Sequence, residues 1–402
     1  MNDISNPPAG APAPEVDDET FEQLLDAVAR FVRDRLIPNE QRVEDEDEIP
    51  EDIAAEMREM GLFGLSTPSA YGGLGLTTVQ EARLVETLCY ASLAFRSLIG
   101  TNVGIGAKGI LFDGTREQRE AYLPGLASGE LIASFALTEP DIGSDAAHIR
   151  TRAVRDGDEF VINGTKRFIT NATRADIFTL LARTGSPQDG AKGVTAFILP
   201  ANTPGVRLGP PDRKLGQRGT KTCDVILNDV RLPASAIIGG PERLDQGFLT
   251  AMKVLDRGRI HISAMAVGTA QRMLDIATDY AIERRQFGKP ICEHQLVQAM
   301  LADCQTEIAA ARALTHATAA LNDLQGKAVM EASCAKYFST EMAGRVADRA
   351  LQIHGGAGYM AEYPIERLYR DVRLLRIYEG TSQIQQLIIA RALVKARGQA
   401  YR

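Results

Sequence analysis

The hydrophobic period changes twice along the chain, and this constrains the fold more than any other feature. Phe21, Leu24, Leu25, Val28, Phe31, Val32 and Leu36 recur at helical spacing. Thr20-x-x-Gln23 has the form of a capping box and marks the expected start of that helix. Pro38, which brings no N–H to a helical ladder, marks its expected end. Helical pattern resumes over 53–60, crosses the Gly-rich loop 71–75, and continues through the apolar stretch 81–112 to a second capping box, Thr115-x-x-Gln118. From 151 to 238, short runs of β-formers alternate with turn residues. Segments 153–155 and 159–162 flank Asp156-Gly157, with Asn163-Gly164 following. Segments 176–182 and 194–199 flank a loop containing Gly185, Pro187 and Gly190, and 223–227 and 230–232 bracket Asn228-Asp229. Asp-Gly and Asn-Gly supply the positive φ that tight hairpin turns need. Helical period returns near Gln246 and lasts to Arg397; long proline-free stretches such as 273–283, 295–321 and 328–354 read as helices, and several are apolar on more than one face, as in a bundle or a subunit interface.

This pattern predicts an α+β multidomain protein: a Pro/Ala-rich disordered tail over 1–16, an N-terminal all-α domain over 17–134, a middle antiparallel β-domain over 135–240, and a C-terminal helical bundle over 241–402.

Composition narrows the function classes. A net charge of -7 argues against a broad nucleic-acid footprint. Five scattered cysteines, none in a CxxC pair, suit free thiols in a reducing compartment. The five histidines show no metal-ligand spacing, so no metal is expected. The first residues lack a basic and then apolar leader, and no run of 18 apolar residues occurs, so a cytoplasmic protein that does not span a membrane is expected.

Three segments carry candidate chemistry. FALTEPDIGSD (135–145) joins a helical region to the β-domain and reads either as a hydrophilic turn or as a loop lining a polar cofactor. KRFITN (166–171) reads as a plain strand, or as one that sets Phe168 against an aromatic ring with Thr170 as a donor. IYEGTSQIQ (377–385) leads into a helix through Ser382-x-x-Gln385, another capping-box pattern, and Glu379 there reads either as a helix-dipole partner or as a catalytic carboxylate.

Together with ERRQFGKPI (283–291) and QIHGGAGY (352–359), these blocks stand in an order that resembles the acyl-CoA dehydrogenases over nearly the whole chain after the tail. The resemblance implies a C-terminal four-helix bundle, non-covalently bound FAD, an acyl-CoA substrate, an electron-transfer flavoprotein as electron acceptor, and a homotetramer. By position, Phe135, Leu137, Thr138, Gly143 and Ser144 would line the flavin, and Phe168, Ile169 and Thr170 would contact its ring. The family often has Trp where this chain has Phe168, which keeps the stack but loses an indole N–H. Arg284, Phe287 and Gln295, with Gln352, Gly355 and Gly356, would reach the FAD of a neighbouring subunit, and Thr381 and Gln383 would complete the adenosine–pyrophosphate site. Ser144, Asp256, Arg259 and Gly380 match substrate-binding positions, although Asp256-Arg257-Gly258-Arg259 alone reads as a solvated charge cluster. Glu379 matches the base that removes the α-proton.

Arg96, in Ala94-Phe95-Arg96-Ser97, resembles the glutaryl-CoA dehydrogenase branch, where an Arg pairs with the substrate's distal carboxylate; alternatively it satisfies helix ends or an ion pair. Rival functions are an acyl-CoA oxidase, a DNA-binding relative without dehydrogenase activity, and an NAD-dependent enzyme using the GxGxxG of Gly104-Ile105-Gly106-Ala107-Lys108-Gly109. The last fails on context, since Gly114 follows too soon for a helix of about ten residues to open there and no βαβ unit is visible.

Overall fold

The computed structural model describes residues 14–398. Seven helices come first: α1 (Asp18–Phe31), α2 (Ile37–Glu46), α3 (Glu51–Glu59), α4 (Thr78–Leu88), α5 (Leu93–Val103), α6 (Lys108–Asp113) and α7 (Arg116–Ser128). The cap of α1 is Asp17, whose side chain accepts from the Thr20 N–H at 2.8 Å, so the expected Thr20 box is displaced to an earlier residue. Pro38 does not stop the helix. A π-turn over Val32–Leu36 joins α1 to α2, the Ile37 N–H bonds five residues back to the Val32 carbonyl, and Pro38 falls in the first turn of α2. Proline brings no N–H to the ladder, and the wider π-turn before it lets the helix run on past Pro38. Of the expected tail, residues 1–13 lie outside the described residues; Glu15 accepts from the Ser69 N–H at 2.7 Å and the Val16 carbonyl accepts from Gln80 at 3.0 Å.

Seven strands follow: β1 (Ala133–Ala136), β2 (Arg152–Asp156), β3 (Glu159–Thr170), β4 (Ile177–Arg183), β5 (Val194–Pro200), β6 (Val206–Leu208) and β7 (Thr222–Pro233). They form one sheet in the order β1-β4-β2-β3-β7-β6, with β5 on β4. Most pairs are antiparallel, but β1 runs parallel to β4, and β2 meets β4 in parallel at Arg152 and Arg183. Asp156-Gly157 turns the β2–β3 hairpin as expected. Asn163-Gly164 and Asn228-Asp229 do not turn. They sit opposite each other inside β3 and β7 where the register shifts, and Asn163 both donates to Asp229 Oδ1 (3.0 Å) and accepts from the Asp229 N–H (2.8 Å). A bulge needs the same positive φ as a turn, so the two share one residue signature.

The third part contains α8 (Gly247–Glu283), the short pair β8 (Arg285–Gln286) and β9 (Lys289–Pro290), then α9 (Gln295–Gln325), α10 (Val329–His354), α11 (Pro364–Val372) and α12 (Ser382–Ala396). Helices α8, α9 and α10 pack on one another, α12 lies on α10, and α4 packs on α8 and α9. Residues 258–270 of α8 are all buried, so this helix forms the spine between the helical regions. Buried Glu40 clamps the parts together, accepting from Arg272 at 3.1 Å, Arg367 at 2.7 Å and the Ser92 N–H at 2.7 Å.

Beside this clamp, buried Asp371 accepts from the Gln217 N–H through Oδ1, while Oδ2 has no partner among the described residues. Burial pushes its carboxyl up to about 7. A group whose folded pKa is raised contributes stability below its unfolded value, and this is lost as pH rises through the folded one. Asp371→Asn removes that loss. The melting temperature of the variant relative to the parent is therefore expected to climb between about pH 4 and pH 7; a difference that stays flat with pH would contradict the assignment.

Candidate active site

The chain leaves β1 through Leu137 and Thr138 into a loop that must hold its shape without secondary structure. A buried ion pair holds it: Lys166 donates to Glu139 Oε1 (2.8 Å) and to the Leu137 carbonyl (3.0 Å), and Glu139 accepts the N–H groups of Arg150 (2.6 Å) and Thr151 (2.8 Å). Burial pushes the Lys166 ammonium down to about 8, against the pull of Glu139. Opposite the loop, the β3–β7 register breaks between Lys166 and Ile169, and Phe168 adopts φ 58. That left-handed kink swings the ring out of the strand, leaving it 57% exposed at a cavity edge.

Glu379 and Gly380 form the second wall, both with positive φ (51 and 88). The kink is clamped from below: Lys336 donates to the Gly380 carbonyl at 2.7 Å, and Gln385 donates to the carbonyls of Glu379 (3.2 Å) and Gly380 (2.9 Å). The cap of α12 is Thr381, which accepts from the Ile384 N–H, so Ser382 is not the capping residue expected; Gln385 is occupied with the kink instead. Glu379 is half-buried, and its Oε2 is shielded from solvent with no hydrogen-bond partner among the described residues. Burial raises its pKa, opposed by Arg96, Lys336 and Arg259. Gly258 on α8 makes the room: a Cβ there would lie 2.0 Å from Glu379 Oε2.

These walls enclose a cavity of about 530 Å³. It brings together most of the residues expected from the sequence: Arg96, Phe135, Leu137, Thr138, Gly143, Ser144, Phe168, Ile169, Thr170, Arg259, Glu379 and Gly380. Asp256 is outside the lining and forms an ion pair with Arg259 one turn away on α8; the pair is largely buried, not the solvated cluster that its composition suggests. Thr381 and Gln383 open instead into a separate hollow of about 280 Å³ beside Arg373 and Arg376. Arg284, Phe287 and Gln295 at the α8–α9 junction, and Gln352, Gly355 and Gly356 at the end of α10, are also outside the cavity. The two helix ends are joined by the Tyr280–His354 stack (4.3 Å), and Phe287 is 94% exposed there. The GxGxxG segment follows α5 rather than a strand, and its Lys108 is buried against Glu81 at 3.9 Å.

The sequence reading missed Lys336, Gly258 and the apolar lining of Phe248, Met252 and Leu255. Lys336 left one signal, a lysine directly after the small and apolar run Ala332 to Ala335 of a helix that had to be buried.

The three-part fold around this cavity is that of a flavoprotein dehydrogenase. Residues 18–130 match the acyl-CoA dehydrogenase N-terminal domain, 134–230 its middle domain and 245–394 its C-terminal domain. The chain is 42% identical to a probable acyl-CoA dehydrogenase, YngJ, of Bacillus subtilis (93% of this chain, 98% of that one). It is 37% identical to the caffeyl-CoA reductase–Etf complex subunit CarC of Acetobacterium woodii (93% and 98%). A solved glutaryl-coenzyme A dehydrogenase–glutaryl-CoA complex superposes with a TM-score of 0.88 at 33% identity, covering 95% of this chain and 96% of that one. The chain belongs to the acyl-CoA dehydrogenase family and is an oxidoreductase. No helix among the described residues is long and apolar enough to cross a membrane.

Proposed function

We propose that the protein dehydrogenates an acyl-CoA thioester to the trans-2-enoyl-CoA with FAD, using Glu379 as the base. The observation that carries this reading is a carboxylate at the cavity wall with one oxygen that is buried and has no partner among the described residues. An α-proton beside a thioester is weakly acidic, and a carboxylate whose pKa is raised by burial is a stronger base than an ordinary one. The developing oxyanion needs fixed donors, and the Glu379 N–H has no partner among the described residues.

The lining fits a flat ring with polar edges. Thr138, Ser144 and Thr170 offer hydroxyls, Phe168 offers an aromatic face, Leu137 and Ile169 offer apolar contact, and a Cβ on Gly143 would meet nothing within 4 Å. When bound there, FAD supplies the acceptor for the β-hydrogen as hydride. In the homotetramer that we propose, Arg284, Phe287, Gln295, Gln352, Gly355 and Gly356 serve the FAD of a neighbouring subunit, with Thr381 and Gln383 at the adenosine–pyrophosphate end. The exposure of Phe287, Leu296 and Tyr359 around that helix end supports a partner there. Arg259, Asp256, Ser144 and Gly380 hold the CoA thioester end, and an electron-transfer flavoprotein, a partner that the name of CarC also carries, removes the electrons.

One observation favours a dicarboxylic acyl group. Arg96 is 6% exposed, lines the cavity, and forms no ion pair with a carboxylate among the described residues. A buried guanidinium that contacts no carboxylate is costly unless a bound anion completes it. Anaerobic addition of a panel of acyl-CoAs, including glutaryl-CoA, is expected to bleach the bound flavin and yield an enoyl-CoA. No bleaching by any member would contradict the reading, and peroxide as the main product under air would point to an oxidase.

A further inference from the structure

We propose that His261 is a positioning residue that holds Arg96 at the cavity wall as a guanidinium in contact with no carboxylate, and thereby sets a preference for acyl groups ending in a carboxylate. The inference rests on the reading of the cavity as an acyl-CoA site and names the device behind its substrate class.

Arg96 Nη2 lies 3.0 Å from His261 Nδ1. A guanidinium has only donors, so Nδ1 must present its lone pair and the ring proton must sit on Nε2. That nitrogen lies 3.1 Å from Glu81 Oε2. Burial alone would raise the Glu81 carboxyl, but His261, Lys108 and Arg257 together hold it well below the usual carboxylate range. Ser66 donates to Glu81 Oε1 at 2.5 Å, and Arg257 lies 3.2 Å from Oε2. The charged groups facing His261 are therefore Arg96 from α5, Glu81 from α4, Lys108 from α6 and, on its own helix, Arg257.

The geometry separates two tasks that a direct ion pair would merge. Had Glu81 touched Arg96, the guanidinium would be fixed and its charge cancelled. A neutral imidazole between them fixes one edge of the guanidinium and contributes no charge, leaving the rest of the group to an anion in the cavity. Gly100, one turn along α5, keeps the space: a Cβ there would lie 2.5 Å from Arg96 Nη1.

The test compares glutaryl-CoA with pentanoyl-CoA, which differ by the distal carboxylate, on holoenzyme carrying His261→Leu, His261→Glu or His261→Gln. The parent is expected to favour glutaryl-CoA. His261→Leu should lower the ratio of the two kcat/KM values by about tenfold or more, mainly by raising the glutaryl-CoA KM. His261→Glu should abolish the preference by pairing with Arg96. His261→Gln, whose amide can accept from Arg96 and donate toward Glu81, should retain most of it. Equal loss on both substrates in His261→Leu, or a parent that dehydrogenates both equally, would overturn the proposal while leaving the dehydrogenase reading intact. A parent inactive on every acyl-CoA would instead remove that reading.

Discussion

Replacing Glu379 with Gln is expected to lower kcat by about 10³-fold, within the range that a positioned general base supplies. The amide keeps the volume and the backbone kink, so acyl-CoA should still bind, and the loss should appear in kcat more than in KM. The parent needs the ionised carboxylate. Because burial raises its pKa, the rate is expected to increase with pH through a titration above the ordinary range of a glutamate, and to fall away below it. The amide of the Glu379→Gln variant does not ionise, so its residual rate should lack that limb. Stopped-flow reduction of the bound flavin across pH reads both effects. A variant reducing flavin at the parent rate would rule out Glu379 as the base.

The second large effect comes from a single added methyl group. Gly258 sits inside α8, and a Cβ there would lie 2.0 Å from Glu379 Oε2. The obstacle is the end of a flexible side chain rather than backbone, so the carboxylate moves and the fold survives. Ala is also a better helix former than Gly. Gly258→Ala is therefore expected to fold with little change in melting temperature and to lose about 10²-fold in kcat, because displacing a reacting group by about 1 Å has that cost. Assay and thermal denaturation of the same preparation separate the two. Full activity would mean that the carboxylate works from another rotamer.

Most of the fold was legible because hydrophobic period reports burial. The β-former runs with turn residues between Thr151 and Ile238 marked the sheet, and the proline-free stretches after Gln246 marked α8 to α10. The misreadings share a cause: local chemistry that serves two structures. Asn163-Gly164 and Asn228-Asp229 provide positive φ, which a paired bulge uses as readily as a turn. Pro38 tolerates either a helix end or the first turn of a helix, and the π-turn before it allows the second. The parallel β1–β4 pair depends on contacts distant in sequence and leaves no local mark.

The site shows the same division. The residues around Phe135, Phe168 and Glu379 stood in recognisable segments, and folding brings them to one cavity. Lys336, His261 and Gly258 act through contacts with residues far from them in the chain, so their importance emerges only when α8 and α10 are packed. Arg284, Phe287, Gln295, Gln352, Gly355 and Gly356 cluster at one end of the bundle, away from the cavity, where a second subunit rather than this chain would give them a function.

Exchange at the α-carbon tests the central claim most directly. In D2O, an acyl-CoA whose β-carbon bears no hydrogen can lose its α-proton but cannot go on to the enoyl product. Proton NMR should show the parent holoenzyme replacing the α-hydrogen of this compound with deuterium, and the Glu379→Gln holoenzyme binding it without exchange. Deuterium incorporation at the parent rate in the variant would contradict the account.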